Sequence, residues 1–370
     1  MINKISDIAN EVTKDNLRQI GLLEGEIGKI LFLSEYLNFQ EDKNITNYLN
    51  QSIPRVIGEI ESRPYTYNYA NGLCGILTAF CLINKTLEIP LEVTYDTDNQ
   101  MFSTFKKSLK PNNYEFLFGG LGYMFYFLNR PDDVAVPFLE EMINDLLAFR
   151  NKNGHGIFWK SYHRVTFDKS YVNLGLAHGM AAIVGIMAET YFKYPNFWHA
   201  KRIVEQIYQF YLSNENHTSK NTSLFAYGIS SKNRIDKNCR LAWCYGDAGI
   251  GITFLISGNK IGNTEVYEFG KEILLHSAIR RDVSDSQVDD PYFCHGSAGL
   301  AIIFLNAYKL TKDKRFEETA FYWLNTTLRF LKEKKYSRTG FLTGLSGVGL
   351  VLLSFLKNDH LQWEKLMLLK

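Results

Sequence analysis

Cys294 and His295 stand side by side, directly ahead of Gly296 and Gly299. Fifty residues earlier, Cys244 holds the same relation to Gly246 and Gly249, so both stretches read Cys, one residue, Gly, two residues, Gly. Thiolate sulfur and imidazole nitrogen are zinc donors, and a catalytic zinc site keeps three protein ligands and one open position. Two cysteines and one histidine match that count, and no C-x-x-C pair supplies the fourth ligand of a structural site. Cys244, Cys294 and His295 are therefore expected to hold one Zn2+ ion. A buried thiol beside a chance histidine is the bland alternative, and it leaves the repeat of the pattern unexplained.

Other residues share this register. His178 directly precedes Gly179, as His295 precedes Gly296. An imidazole titrates near neutral pH, so His178 is a candidate general acid or base near the metal. The competing reading is a hydrogen-bonded core histidine. Arg240, four residues before Cys244, suits either an anion near the metal or a loop salt bridge. Glu115, four residues before Gly119, suits either the orienting of a catalytic group or a solvated loop. Trp243 and Tyr245 flank Cys244, and His155 lies between Gly154 and Gly156 in a long connection. These three are the expected substrate contacts. His163, His199, His217, His276 and His360 have no such register and read as ordinary histidines. Cys74 and Cys81 read as buried thiols.

The elements that position these residues repeat. The motif G-x-x-G occurs at Gly25, Gly72, Gly119, Gly246, Gly296 and Gly344, and a seventh copy at Gly179 has Ala182 for its second glycine. The first glycines are 47, 47, 60, 67, 50 and 48 residues apart. Each copy leads into an apolar run of helical length, as in 27–37, 73–83, 250–256 and 300–308. Amphipathic stretches lie between them: Ile203, Ile207, Phe210 and Tyr211 have helical spacing, and so do Phe321, Leu324, Leu328 and Leu331. Strand-like alternation is scarce. A unit of about 48 residues holds two helices and two connections. An open stack of such units wants polar caps at both ends, and none is evident. The expected fold is all-α: a closed α/α toroid, six- or seven-fold, with about seven inner and seven outer helices in one domain spanning 1–370. The polar stretches 151–173 and 213–239 read as loops at the same ring end as Cys244 and His178. Pro90 to Gln100 has no assignment.

Composition narrows the function. Lys plus Arg total 41 and Asp plus Glu 39, a net charge of +2 over 370 residues. That balance offers no electrostatic case for nucleic acid or an acidic membrane. The hydrophobic fraction of 46% argues against general disorder. Five cysteines form no secreted disulfide framework, and a reducing cytoplasm suits thiolate ligands. The first residues lack the apolar core of a signal peptide, and the run 341–356 is too short and interrupted for a transmembrane span.

The stretches Asn173–Gly179, Arg240–Gly246 and Cys294-His295-Gly296, carried on seven repeats, resemble the LanC family of lanthionine synthetase cyclases. The likeness covers essentially the whole chain. It implies an α/α toroid, zinc on Cys244, Cys294 and His295, an acid/base role for His178 and a supporting role for Arg240. It implies intramolecular addition of a peptide cysteine thiol to dehydroalanine or dehydrobutyrine, giving a lanthionine or methyllanthionine ring. The implied partners are a dehydrated precursor peptide, a dehydratase and an ABC exporter, with the chain in the cytoplasm at the inner membrane face. Two features depart from the family pattern. Glu115 stands where the family usually has Asp, and Ala182 replaces a glycine. The 47-residue spacings leave no room for the SH2-like insertion of some members. Two other readings stay in view: a non-catalytic peptide-binding scaffold, and another zinc toroid enzyme of the prenyltransferase kind, whose mixed carboxylate, Cys and His site matches these motifs poorly.

Overall fold

The structure, a computed structural model, describes residues 1–15, 19–62, 64–83, 93–161, 168–216, 222–230, 234–235, 238–357 and 360–370. Helix α1 (Ile2–Val12) opens the chain. Helices then come in pairs: α2 (Glu26–Leu37) with α3 (Lys43–Ser62), α4 (Leu73–Ile83) with α5 (Tyr95–Ser108), and α6 (Gly120–Leu128) with α7 (Asp132–Ala148). Next come α8 (Met180–Lys193) with α9 (Trp198–Leu212) and α10 (Asp247–Ile261) with α11 (Thr264–Ala278). A single turn, α12 (Val283–Ser286), precedes α13 (Ser297–Thr311) with α14 (Lys314–Glu333). Among the described residues, helix α15 (Leu345–Lys357) is followed by no outer helix. Helix α1 takes that place and packs on both α15 and α2, joining the two ends of the chain. Among the described residues this makes seven inner and seven outer helices, an α/α toroid.

The sequence explains the two layers. Inner helices are apolar all round and buried almost along their length, while outer helices carry one apolar stripe. On α14 the buried stripe is Phe316, Ala320, Trp323, Leu324 and Thr327, spaced three, four and one as a helix face requires. The expected face through Phe321 is corrected, because Phe321 is 49% exposed and meets the Phe355 ring edge-on.

In the six copies that have a second glycine, the carbonyl of the residue six places earlier crosses the first turn of the inner helix; at the seventh, Ala182 carries a Cβ there. A Cβ at Gly75 or Gly299 would stand 1.9 Å from the carbonyl oxygen of Tyr69 or Phe293. Gly246 has a further demand, a φ of 81°, which a side chain would strain.

The connections themselves form a ring. Counting back two residues from each first glycine gives Leu23, Ala70, Leu117, Ala177, Cys244, Cys294 and Leu342. Leu23 N–H donates to the Ala70 carbonyl, Ala70 to Leu117, Ala177 to Cys244, Cys244 to Cys294, Cys294 to Leu342, and Leu342 back to Leu23, over 2.9–3.4 Å. Six of seven links are backbone to backbone. The seventh differs: Leu117 N–H donates to the Glu115 carboxylate at 3.1 Å. The Leu342–Leu23 link excludes an open solenoid.

The bore is filled. Three residues before the glycines lie Tyr69, Phe116, Trp243, Phe293 and Phe341, all buried. The C-terminal tail enters among them through α16 (Trp363–Leu366). Tyr69 donates its hydroxyl to the Leu366 carbonyl at 2.8 Å, and the Trp243 indole N–H donates to the Met367 carbonyl at 2.9 Å. Trp363 stacks edge-on against Phe293 and Phe341.

The long connections are not wholly irregular. The first holds a hairpin, β1 (Asn151–Asn153) with β2 (Gly156–Phe158), and ends in β3 (Val172–Asn173). Strand β3 pairs antiparallel with β4 (Gly228–Ile229), which pairs with β5 (Arg234–Ile235). Of the stretch left without assignment, Tyr95 to Gln100 begins α5, capped by the Thr94 side chain. Pro90 lies outside the described residues, as do His163 and His217. Among the described residues no helix is long and apolar enough to cross a membrane.

Candidate active site

The residue directly before each first glycine turns outward at the ring mouth. Around the ring these are Glu24, Asn71, Phe118, His178, Tyr245, His295 and Thr343, all at least partly exposed. The residue before each of them is mostly apolar and buried, except that Cys244 and Cys294 occupy two such places. Those two thiols are nearly buried, at 7% and 8% exposure. They belong to neighbouring repeats, linked by the Cys244 N–H to Cys294 carbonyl bond, and each thiol shifts the other's titration.

The neighbouring Cys294 thiol pulls the Cys244 thiol below its ordinary range; His295, His178 and Arg240 add to the effect. Cys294 is held well above its ordinary value.

His178 is braced. Its Nδ1 lies 2.7 Å from Glu115 Oε2. The same carboxylate accepts the backbone N–H groups of Leu117 at 3.1 Å and Phe118 at 2.5 Å. Glu115 thus stands in the one link of the backbone ring that differs from the rest. With Nδ1 engaged, Nε2 is the ring nitrogen left for proton transfer. The His178 ring lies parallel to Phe118, with centroids 6.2 Å apart, and 6.0 Å from the Tyr245 ring. Tyr245 accepts a hydrogen bond from the Asn173 amide at 3.3 Å, and burial pushes its phenol up to about 12.

His295 is also braced, by Asp290: Nε2 to Oδ2 is 3.2 Å, and this bond raises the imidazole above its ordinary value. Across the mouth, Glu24 Oε1 accepts the N–H and hydroxyl of Thr343 at 3.0 and 2.9 Å, and burial raises its carboxyl. Arg240 donates to the Gln287 carbonyl at 3.4 Å, so its guanidinium bridges toward α12.

Behind Cys244 a buried pair secures the second long connection. Asp247, first residue of α10, accepts the N–H groups of Leu224 and Phe225 and the Arg280 guanidinium, at 2.9–3.0 Å. Arg280 also donates to the Cys239 and Asp285 carbonyls at 2.6 Å. Burial raises Asp247 to about 6 even with the guanidinium beside it.

Among the described residues no three His, Cys, Asp or Glu side chains converge closely enough to hold a metal ion. His295 has turned Nε2 to Asp290. The chemistry nonetheless fits zinc. Zinc-bound histidines usually give their other ring N–H to a carboxylate, and the two thiols, in neighbouring repeats at the same place in the register, are soft donors.

The expected substrate contacts fare differently. Tyr245 lies on the mouth. Trp243 is corrected: it is fully buried in the bore, bonded to the tail, with no face to offer a peptide. His155 sits at the exposed β1–β2 turn against Gln206 and Gln209 of outer helix α9. Glu24, Phe118 and Asp290 join the site without having been singled out. The first two share the register of His178 and His295, a signal available in the sequence; Asp290 has none.

A seven-repeat toroid with a thiol and imidazole mouth is the class that fold and site define. The family model described as lanthionine synthetase C-like protein matches residues 18–368, and the chain belongs to that family. It is 25% identical over 364 residues to nisin biosynthesis protein NisC of Lactococcus lactis subsp. lactis, covering 91% of this chain and 85% of that protein. The solved structure of nisin cyclase superposes with a TM-score of 0.79 at 22% identity, covering 99% of this chain and 97% of that one.

Proposed function

We propose that this chain is a zinc-dependent lanthipeptide cyclase. It adds a cysteine thiol of a dehydrated precursor peptide to dehydroalanine or dehydrobutyrine in the same peptide. The observation that carries the reading is the Glu115–His178 pair beside the Cys244–Cys294 thiols, on one arc of a mouth whose chain belongs to the lanthionine synthetase C-like family.

Cys244, Cys294 and His295 would hold the ion. When bound, zinc would supply acidity to the incoming peptide thiol, which is otherwise largely protonated near neutral pH. His178 accepts the thiol proton at Nε2 while Glu115 holds Nδ1 and steadies the resulting imidazolium. The sulfur bonds to the alkene β-carbon as the carbon–carbon π bond opens. The electron pair moves onto the neighbouring amide as an enolate. Arg240 supplies positive charge near it, worth a few kcal/mol in a preorganised site. His178 returns the proton to the α-carbon. Nothing leaves, so thiol plus alkene becomes one thioether. The substrate must arrive already dehydrated, which calls for an upstream dehydratase.

Zinc content and ring formation on a dehydrated peptide test this together. The expected result is about one zinc per chain, as one three-ligand site requires, with both zinc and cyclisation lost in Cys294→Ala. Full cyclisation by protein stripped of zinc would overturn the metal role. Peptide binding without turnover would favour a scaffold instead.

A further inference from the structure

Six of the seven mouth residues are polar. Glu24 and Thr343 bond each other, His178 is held by Glu115, Tyr245 by Asn173 and His295 by Asp290, and Asn71 completes the set. The seventh is Phe118, 44% exposed. Among the described residues its one aromatic neighbour is the His178 ring, parallel within 6°. A phenyl kept in water forfeits the free energy its burial would yield. Fold stability gives no reason for Phe here, since the buried layer ends one residue earlier at Leu117.

The position is also fixed. Glu115 Oε1 accepts the Phe118 N–H while Oε2 holds His178, so one carboxylate sets both rings. The rings continue as a row: His178 to Tyr245 at 6.0 Å, and Tyr245 to Tyr227 at 5.4 Å. Phe118 ends the row, next to His178.

We infer that Phe118 is a substrate-positioning platform that takes an apolar or aromatic side chain flanking the alkene of the peptide. The inference rests on the cyclase reading above. Stacking or apolar contact with one exposed ring typically changes affinity by about tenfold. It holds the alkene over the His178–thiol arc without touching the reacting atoms.

The test uses the full zinc-loaded chain and two fluorescent synthetic peptides. One carries a Leu-dehydroalanine pair and a cysteine; the other has alanine for the dehydroalanine and cannot react. Phe118→Ala should raise both KM and the Kd for the alanine peptide about tenfold, with kcat within about threefold. Phe118→Tyr should restore them. Replacing the flanking Leu by Asp should weaken binding to the wild type about tenfold but to Phe118→Ala less than twofold, a coupling that structural damage would not produce. The platform is overturned if Phe118→Ala binds like the wild type, or if it loses kcat with a shifted pH profile at unchanged KM. If the wild type binds the alanine peptide through Phe118 yet never cyclises, the cyclase reading fails and the platform stands. If the wild type binds neither peptide, both fail.

Discussion

Two arcs of the same mouth are built on one backbone ring and differ in what they carry. In the arc from Glu115 to His295, the inner places hold Cys244 and Cys294, and the outer places hold two imidazoles, each braced by a carboxylate. In the arc from Leu342 to Ala70, the inner places are Leu342, Leu23 and Ala70. Their outer neighbours, Thr343 and Glu24, spend their polar groups on each other. The hydrogen-bond ring runs through both arcs by backbone N–H to carbonyl links, except where Leu117 N–H turns to the Glu115 carboxylate in the first arc. Scaffold geometry alone therefore does not make a site. Sulfur in place of leucine, and imidazole held at one nitrogen, make one arc reactive while the other closes on itself.

The comparison breaks most sharply at His178. His178→Ala should lower kcat by about 10²–10⁴, the usual worth of a positioned acid/base group, while zinc content stays near the wild-type level; an unchanged kcat would remove His178 from the chemistry. Asp290→Asn should act next, weakening zinc binding about 10- to 100-fold through the loss of the histidine's orienting partner, read by competition with a chelator. The same variant has a pH signature in the metal-free chain. The Asp290 bond raises His295, so its stabilisation is present below about pH 6.5 and vanishes as pH rises through the raised value. In Asp290→Asn the imidazole should titrate lower by NMR; an unmoved titration would refute the bond. The smallest change belongs to the quiet arc. Glu24→Gln keeps an acceptor for Thr343 and mimics the protonated carboxyl that burial already favours, so activity should stay within about threefold and stability within about 1 kcal/mol. A larger loss of activity would place Glu24 in the reactive arc.

Much of this was legible because the repeat register is a local signal. Counting back from each glycine brings Cys244, Cys294, His295 and His178 to one end of the ring without any coordinates. The same count reaches Glu24 and Phe118; phenylalanine announces no metal or proton chemistry, and the Glu24 carboxylate stands in a copy that carries neither Cys nor His beside its glycine. Trp243 shows the limit of neighbourhood reasoning: one residue from a thiol, it is buried in the bore, where its indole N–H meets the Met367 carbonyl. The tail that fills the bore carries no repeat, and its bonds to Tyr69 and Trp243 span 297 and 124 residues. The pairing of α1 with α15 is equally long-range. Strands β3 to β5 are two residues each, too short for alternation to register. Asp290 found its partner through chain geometry that no motif encodes.

Zinc-edge X-ray absorption of the metal-loaded chain, recorded before and after adding a cysteine-containing peptide, tests the central claim most directly. Two sulfurs and one imidazole nitrogen should surround the ion at first, and three sulfurs once the peptide is present. A sulfur count that stays at two, or a shell already closed by a fourth protein side chain, would contradict it.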